Sequence, residues 1–301
     1  MNNIVAVIVT YNRIDMLRQC IQHVQAQTVL CDILIIDNAS TDGTEVFVQQ
    51  LVDTRIHYYN TGENLGGAGG FNMGMKLAVE RGYDYVWIMD DDCLPQNNAL
   101  EKLIDANNIL DGKYGWLSSK CLWIDGSICA MNVQRDTPYT DIKDFSKSMI
   151  TAEMASFVSL FLKADTIQKY GLPIKDFFIW TDDWEYTRRI SRRLPCYVVT
   201  DSQVIHAMKT NTVVNIATDS RERLPRYKYF YRNDVYFYRR EGIKGCVWIL
   251  AKDIWHSAQI IAKRNDIVRK LKIVWENAVK GIFFNPKIEY CKQIDNKGLQ
   301  K

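Results

Sequence analysis

The sequence predicts an α/β fold, a largely parallel sheet covered by helices on both faces and followed by a helical C-terminal extension. Three observations predict it. Apolar runs of strand length recur at 4–9, 33–36 and 85–89; helical patterns lie between them; and from Val247 onward apolar residues recur at helical spacing. With 301 residues, 47% apolar and 24% charged, the chain has the mass for one large domain and an appendage and fits no disorder class. We divide it into an α/β body, 1–215, with halves at 1–110 and 111–215, and a basic, aromatic-rich helical region, 216–301.

The first run, 4–9, leads through Thr10-Tyr11-Asn12-Arg13 into apolar positions 14, 17, 21 and 24, which makes a βα unit. The second, 33–36, ends on Asp37-Asn38-Ala39-Ser40-Thr41-Asp42-Gly43, where capping and turn residues follow the strand. Two such strands joined by a helix make a parallel pair, whose functional edge lies at the strand C-termini. A weaker strand at 56–60 precedes a run with six glycines between Gly62 and Gly74, then a helix over 75–80. Such a run lets backbone approach a ligand and offers amides at a helix start, and a flexible loop has the same composition. It has neither dinucleotide nor P-loop spacing.

The fourth strand, 85–89, delivers Asp90-Asp91-Asp92. Three adjacent carboxylates need cations or hydrogen-bond donors, so a metal site and a helix cap before Pro95 are both open on these residues alone. A helix follows at 100–104. With right-handed crossovers, Thr10-Tyr11, Asp37 and the acidic triplet share one crest.

Residues 113–150 suit short strands and a turn, with a polar segment at 133–147; Ala164 to Tyr170 suits a short helix stopped by Gly171 and Pro173. Aromatic Phe177-Phe178-Ile179-Trp180 then precedes Thr181-Asp182-Asp183-Trp184-Glu185, with Asp182 and Glu185 spaced as a capping box. A strand over 196–200 leads to His206, a packed histidine or a ligand on its own. The Tyr- and Arg-rich 227–240 reads as a packed helix or a stacking surface for nucleic acid, the former being simpler.

Net charge is +3, yet residues 221–301 hold 19 Lys/Arg against 8 Asp/Glu while 1–220 hold 19 against 27. The basic helices suit an anionic membrane surface or packing on the acidic body, and neither apolar stretch there is a transmembrane span. The 8 cysteines show no Cys-x-x-Cys pair and no signal peptide precedes 4–9, so reduced cytosolic thiols are expected and a zinc cluster is not.

The stations at 7–13, 36–43, 64–72, 89–92 and 180–185, in this order and spacing, resemble those of inverting family 2 glycosyltransferases. The resemblance covers about residues 1–210 and implies the GT-A fold, a Rossmann-like three-layer α/β/α sandwich with a mixed sheet, its first half binding nucleotide and its second the acceptor. The glycine-rich version, with Gly171-Leu172-Pro173 and the Arg232-Asn233 stretch, is similar to bacterial galactofuranosyltransferases and rhamnosyltransferases.

The resemblance implies roles. Thr10, Tyr11, Arg13, Asp37, Asn64, Gly66, Gly67, Asp90 and Asp91 border the nucleotide sugar, with Asp37 accepting the base imide hydrogen. Asp92, Asp90 and His206 hold Mn²⁺ or Mg²⁺, hard ions suited to oxygen-rich ligands. Asp183 is the general base, Asp182 and nearby Arg188 supporting its ionisation, and Trp180, Trp184 and Glu185 face the acceptor. The implied donor is UDP-galactofuranose, with dTDP-rhamnose as the alternative. The implied acceptor is a lipid-linked or polysaccharide glycan, met at the inner face of the cell membrane through the C-terminal helices. Thr181, where relatives often carry a smaller residue, and the bulky Trp184 mark a distinct acceptor. No Gln-x-x-Arg-Trp motif of the processive synthases occurs, so transfer of a single sugar is expected. Nucleotidyl transfer and a nucleotide-sugar or nucleic-acid binding module are the competing classes; nucleic acid is not an expected partner, and oligomerisation is open.

Overall fold

A computed structural model describes residues 3–291. The first half alternates strand and helix: β1 (Ile4–Thr10), α1 (Ile14–Gln25), β2 (Asp32–Asp37), α2 (Thr44–Gln49), β3 (Ile56–Asn60), α3 (Gly66–Glu80), β4 (Tyr85–Asp90), β5 (Cys93–Pro95) and α4 (Ala99–Ile109). The second half holds β6 (Leu117–Leu122), β7 (Arg135–Thr137), β8 (Thr140–Asp141), β9 (Met149–Thr151), β10 (Leu160–Lys163), α5 (Ala164–Tyr170), α6 (Asp182–Ser191) and β11 (Tyr197–His206). Helices α7 (Tyr227–Arg239), α8 (Gly242–Lys263) and α9 (Ile267–Phe283) follow.

Nine strands form one sheet, ordered β3-β2-β1-β4-β10-β6-β11-β5 with β9 also on β11. The first four run parallel, whereas β10 is antiparallel to both β4 and β6, so the sheet is mixed, as expected. Every residue of β1 is buried because helices cover both faces. Ala6 and Ile8 pack with Leu17 and Ile21 of α1 and Leu100 and Leu103 of α4, while Val5, Val7 and Val9 pack with Phe71 and Met75 of α3.

The parallel register pairs Thr10 with Asp37 and Val9 with Asp90, so the polar strand ends share one crest. The glycine run differs from a loop reading: most of it is the start of α3, pressed on the sheet. A Cβ at Gly74 would lie 2.4 Å from Val7 Cγ1, and one at Gly70 2.5 Å from Val9 Cγ1, so these glycines set how closely helix and sheet approach. Segments 196–200 and 204–206 are one strand, β11, whose register shifts between Val199 and Gln203. Residues 133–147 include the small β7–β8 hairpin.

The C-terminal helices pack on one another and on the body. Tyr227 and Tyr231 share a core with Ile260 and Val274, and Phe177 lies edge-on to Tyr236 at 5.2 Å. Most α7 rings are buried, Tyr227, Tyr231, Tyr236 and Tyr238 among them, and Tyr229 and Phe230 are half-buried, so the helix offers no open stacking surface for nucleic acid. Among the described residues no helix is long and apolar enough to cross a membrane. All eight cysteines are free thiols, seven of them buried.

Candidate active site

The acidic triplet forms the turn between β4 and β5, so Asp91 and Asp92 cap no helix; a strand follows them. Their charge is met by directed donors. Asp91 Oδ2 accepts the Thr10 hydroxyl at 2.8 Å, and the Arg13 guanidinium donates to Asp91 at 3.2 Å and to Asp92 at 2.5 Å. The other oxygen of Asp92 lies 2.9 Å from His206 Nε2. This meeting is built by backbone pairing: β11 runs antiparallel to β5 with His206 opposite Cys93, and the Ala207 amide donates to the Asp92 carbonyl.

Asn132 Nδ2 donates to Ser156 Oγ, which turns the Asn132 oxygen toward His206 Nδ1 at 2.7 Å. Burial disfavours an imidazolium, but Asp92, with Cys129, outweighs it and pushes His206 up to about 10. Burial likewise raises Asp92, yet His206 and Arg13 hold it down at about 2. Burial and then the Asp92 charge push Asp90 up to about 7 and Asp91 to about 6.

The ligand atoms of Asp90, Asp92 and His206 lie within 4.8 Å of one another. Two carboxylates and one imidazole fit Mn²⁺ or Mg²⁺, and a cation there relieves the repulsion between Asp90 and Asp92. The fold also gathers Cys121 and Cys129 beside His206, a grouping invisible in the cysteine spacing, with Nδ1 of the ring already facing Asn132.

The second carboxylate pair begins α6. Thr181 occupies the N-cap position at φ 67 without a side-chain cap bond, so Asp182 is the first helical residue and not the cap that the spacing suggested. Asp183 Oδ1 accepts the Trp184 amide at 2.7 Å. Burial, reinforced by Asp183, pushes Asp182 up to about 8. Burial and the nearby Asp90 outweigh the Trp184 amide and Arg135 and push Asp183 up to about 7.

The helping cation differs from expectation. Arg188 is turned away, held by Glu241 at 3.0 and 3.1 Å and by Glu153 at 3.0 Å, whereas Arg135 lies 4.0 Å over the Trp184 ring and supplies positive charge near Asp183. Arg135 sits in no motif, so only the β7–β8 hairpin reveals it.

Three residues expected at the acceptor have structural partners. Glu185 is buried and grips Arg189 with both oxygens, at 3.1 and 2.5 Å, leaving that carboxylate to the helix. Trp180 packs against Tyr227 and Phe230. Trp184 is half-buried, one face under Arg135.

Among the residues expected to border the nucleotide, Asp37 is buried, accepting the Ser40 amide at 2.9 Å and the Tyr58 hydroxyl at 2.6 Å. Asn64 Oδ1 accepts the Gly66 amide, which shapes the entry to α3. Gly66 has φ 71, and Gly67 follows in the first turn of the helix. Asn38 donates to the Gly66 carbonyl at 3.1 Å and so ties the end of β2 to this turn. Tyr11 is 44% exposed at the rim. An open cleft of about 880 Å³ runs from Arg13, Asp42 and Asp92 to Lys209, Arg223 and Arg226, the two arginines coming from beyond the α/β body.

Residues 5–108 match the family model described as Glycosyl transferase family 2. The galactofuranosyltransferase GlfT1 of Mycobacterium tuberculosis is 29% identical over 218 residues, 68% of this chain and 70% of its own. The dTDP-rhamnosyl transferase RfbF of Shigella flexneri is 24% identical over 289 residues, 90% of this chain and 92% of its own. Among solved structures, S. aureus TarS 1-349 in complex with UDP superposes with a TM-score of 0.53 at 14% identity, covering 94% of this chain and 72% of that one. GalNAc-T7 with UDP, GalNAc and Mn²⁺ superposes at 0.59 and 15% identity, covering 79% and 50%.

Proposed function

Because residues 5–108 match the glycosyltransferase family 2 model and the chain has the GT-A fold, we propose that it is a metal-dependent, inverting family 2 enzyme that moves one galactofuranose from UDP-galactofuranose to a glycan acceptor. The observation that carries this reading is the convergence of Asp90, Asp92 and His206 on one point of the crest, with Asp183 close enough to feel the Asp90 charge.

Asp90, Asp92 and His206 would hold the cation, which when bound offsets negative charge growing on the departing diphosphate. Thr10 and Arg13 keep the turn 90–92 in shape, Gly66 admits the Phe178 backbone, and Gly67, with nothing within 4 Å of an added Cβ, leaves room for the donor. Asp183 takes the proton from the acceptor hydroxyl as its oxygen bonds to the anomeric carbon and the bond to the diphosphate breaks on the opposite face. A carboxylate held near 7 is matched to that task at neutral pH. Arg135 favours its ionised form and stacks on the Trp184 ring, which Phe237 also packs against.

The C-terminal helices support a lipid-anchored acceptor. Val247, Leu250, Ile254 and Trp255 of α8 and Trp275, Val279, Ile282 and Phe283 of α9 are exposed in a region rich in lysine and arginine. Exposed apolar residues with interspersed cations suit an anionic bilayer surface better than a second, equally basic copy. One observation favours dTDP-rhamnose as the donor: the RfbF match extends over 90% of the chain, whereas the GlfT1 match spans 68%.

The test is release of UDP or dTDP by the purified chain with Mn²⁺, each donor in turn, and a panel of alkyl-linked disaccharides. UDP release with inversion at the anomeric carbon supports the reading. Release of dTDP moves the assignment to rhamnose, and release of neither overturns both.

A further inference from the structure

The loop that delivers the two α6 carboxylates has an unusual backbone. Phe178, Trp180 and Thr181 all have φ between 66 and 67. Non-glycine residues rarely adopt this conformation, and three within four positions persist only where surroundings over-determine them.

Those surroundings are two consecutive residues of α7. Asn233 is fully buried, and its amide nitrogen lies 3.0, 3.1 and 2.9 Å from the carbonyls of Phe177, Ile179 and Trp180. Arg232 donates to the Asn233 oxygen at 3.0 and 2.9 Å, which fixes the amide's orientation. Asp234, also fully buried, accepts the Thr181 hydroxyl at 2.6 Å through one oxygen and the Lys252 ammonium of α8 at 2.6 Å through the other. On its far side the loop is tied to the start of α3, where the Ala68 amide donates to the Phe178 carbonyl at 3.1 Å.

We infer that Asn233 and Asp234 are positioning residues for transfer: they clamp 177–181 in its left-handed course and thereby set where Asp183 stands relative to the donor side of the crest. Neither residue reaches the crest itself; both act through the loop. Lys252 anchors the clamp to α8, the helix whose outer face carries the exposed apolar residues, so base placement depends on the C-terminal helices and not on the α/β body alone. This rests on Asp183 being the base.

The decisive variant is Thr181→Val, which keeps side-chain volume and removes the hydroxyl, compared with Thr181→Ser, which restores it. Two measurements apply to the full chain. Hydrogen exchange with Mn²⁺ and UDP present needs no sugar substrate: Thr181→Val is expected to speed exchange in 177–185 at least tenfold and leave the strands unchanged. Turnover with UDP-galactofuranose and an alkyl-linked disaccharide is expected to show kcat at least tenfold lower, KM for the donor within twofold, and recovery with Thr181→Ser to within threefold of the parent. Unchanged exchange in 177–185, unchanged kcat, or a loss of UDP affinity matching the loss of kcat overturns the clamp. Asp183→Asn separates the two readings. If it is inactive while Thr181→Val is unaffected, the clamp alone fails; if it retains kcat, the base assignment falls and takes the clamp's catalytic role with it.

Discussion

Gly66→Ala tests whether the turn at Gly66, proposed to border the donor, and the loop that leads to the proposed base share one contact surface. Gly66 has φ 71, and a Cβ built there would lie 2.1 Å from the Phe178 carbonyl oxygen and 2.8 Å from its carbon. Those atoms are backbone, so no rotamer change relieves the overlap. The left-handed conformation costs an alanine about 1–2 kcal/mol. Pushing Phe178 away sacrifices the bond from the Ala68 amide, about 1 kcal/mol. The sum, about 2–3 kcal/mol, should lower Tm by roughly 3–5 °C at this chain length. Displacing Phe178 also shifts the loop that ends at Asp183, and misplacement by about 1 Å costs on the order of a hundredfold in rate. Gly82→Ala is the matched control: φ there is 80, but nothing lies within 4 Å of the added carbon, so backbone strain arrives without the collision. Differential scanning fluorimetry and steady-state turnover on both variants decide the matter. Equal Tm shifts with kcat unchanged in both would show that the close approach at Phe178 has no functional weight.

Three further outcomes are expected. His206→Ala should weaken Mn²⁺ binding at least tenfold by calorimetry in the presence of UDP, leaving UDP binding without the ion little changed; equal Mn²⁺ affinity removes His206 from the cation site. With Asp183 held near 7 and required in its ionised form, kcat/KM should be highest above that value and fall about tenfold per pH unit below it. A profile flat from pH 5 to 8 contradicts the assignment of Asp183 as the base. Finally, the chain should float with anionic but not neutral vesicles, and Trp255→Ser together with Leu250→Ser should reduce flotation severalfold; equal flotation of parent and double variant rules out the α8 face.

The strand ends were legible because a buried parallel strand must be apolar throughout and stop where it meets solvent, so Thr10, Asp37 and Asp90 announce the crest by position. The glycine run was less so. Its composition describes flexibility as well as close packing, and only Val7 and Val9 beneath the helix distinguish the two. Capping spacing misled at Asp182 because the preceding Thr181 is left-handed, which shifts the helix start by one residue. The exchange of Arg188 for Arg135 was out of reach: charge near a base is a matter of tertiary proximity, and 48 residues separate Arg135 from Asp183. Asn132 and Asn233, both buried and each orienting a group at the crest or its loop, likewise leave no local pattern; a buried asparagine shows its purpose only through its partners.

The pairing of β5 with β11 brings His206 to Asp92 across 114 positions of sequence. Side chains on paired strands alternate between faces, so the meeting depends on parity and not on distance along the chain. Insertions in the β7–β8 region or between α5 and α6 leave it intact, whatever their length. One residue added or lost within 204–206 would turn His206 to the opposite face of the sheet, and one within 93–95 would shift Asp92 out of register with it. The Asp92–His206 meeting therefore constrains the count of those two three-residue rungs and not the length of the β7–β8 hairpin between them.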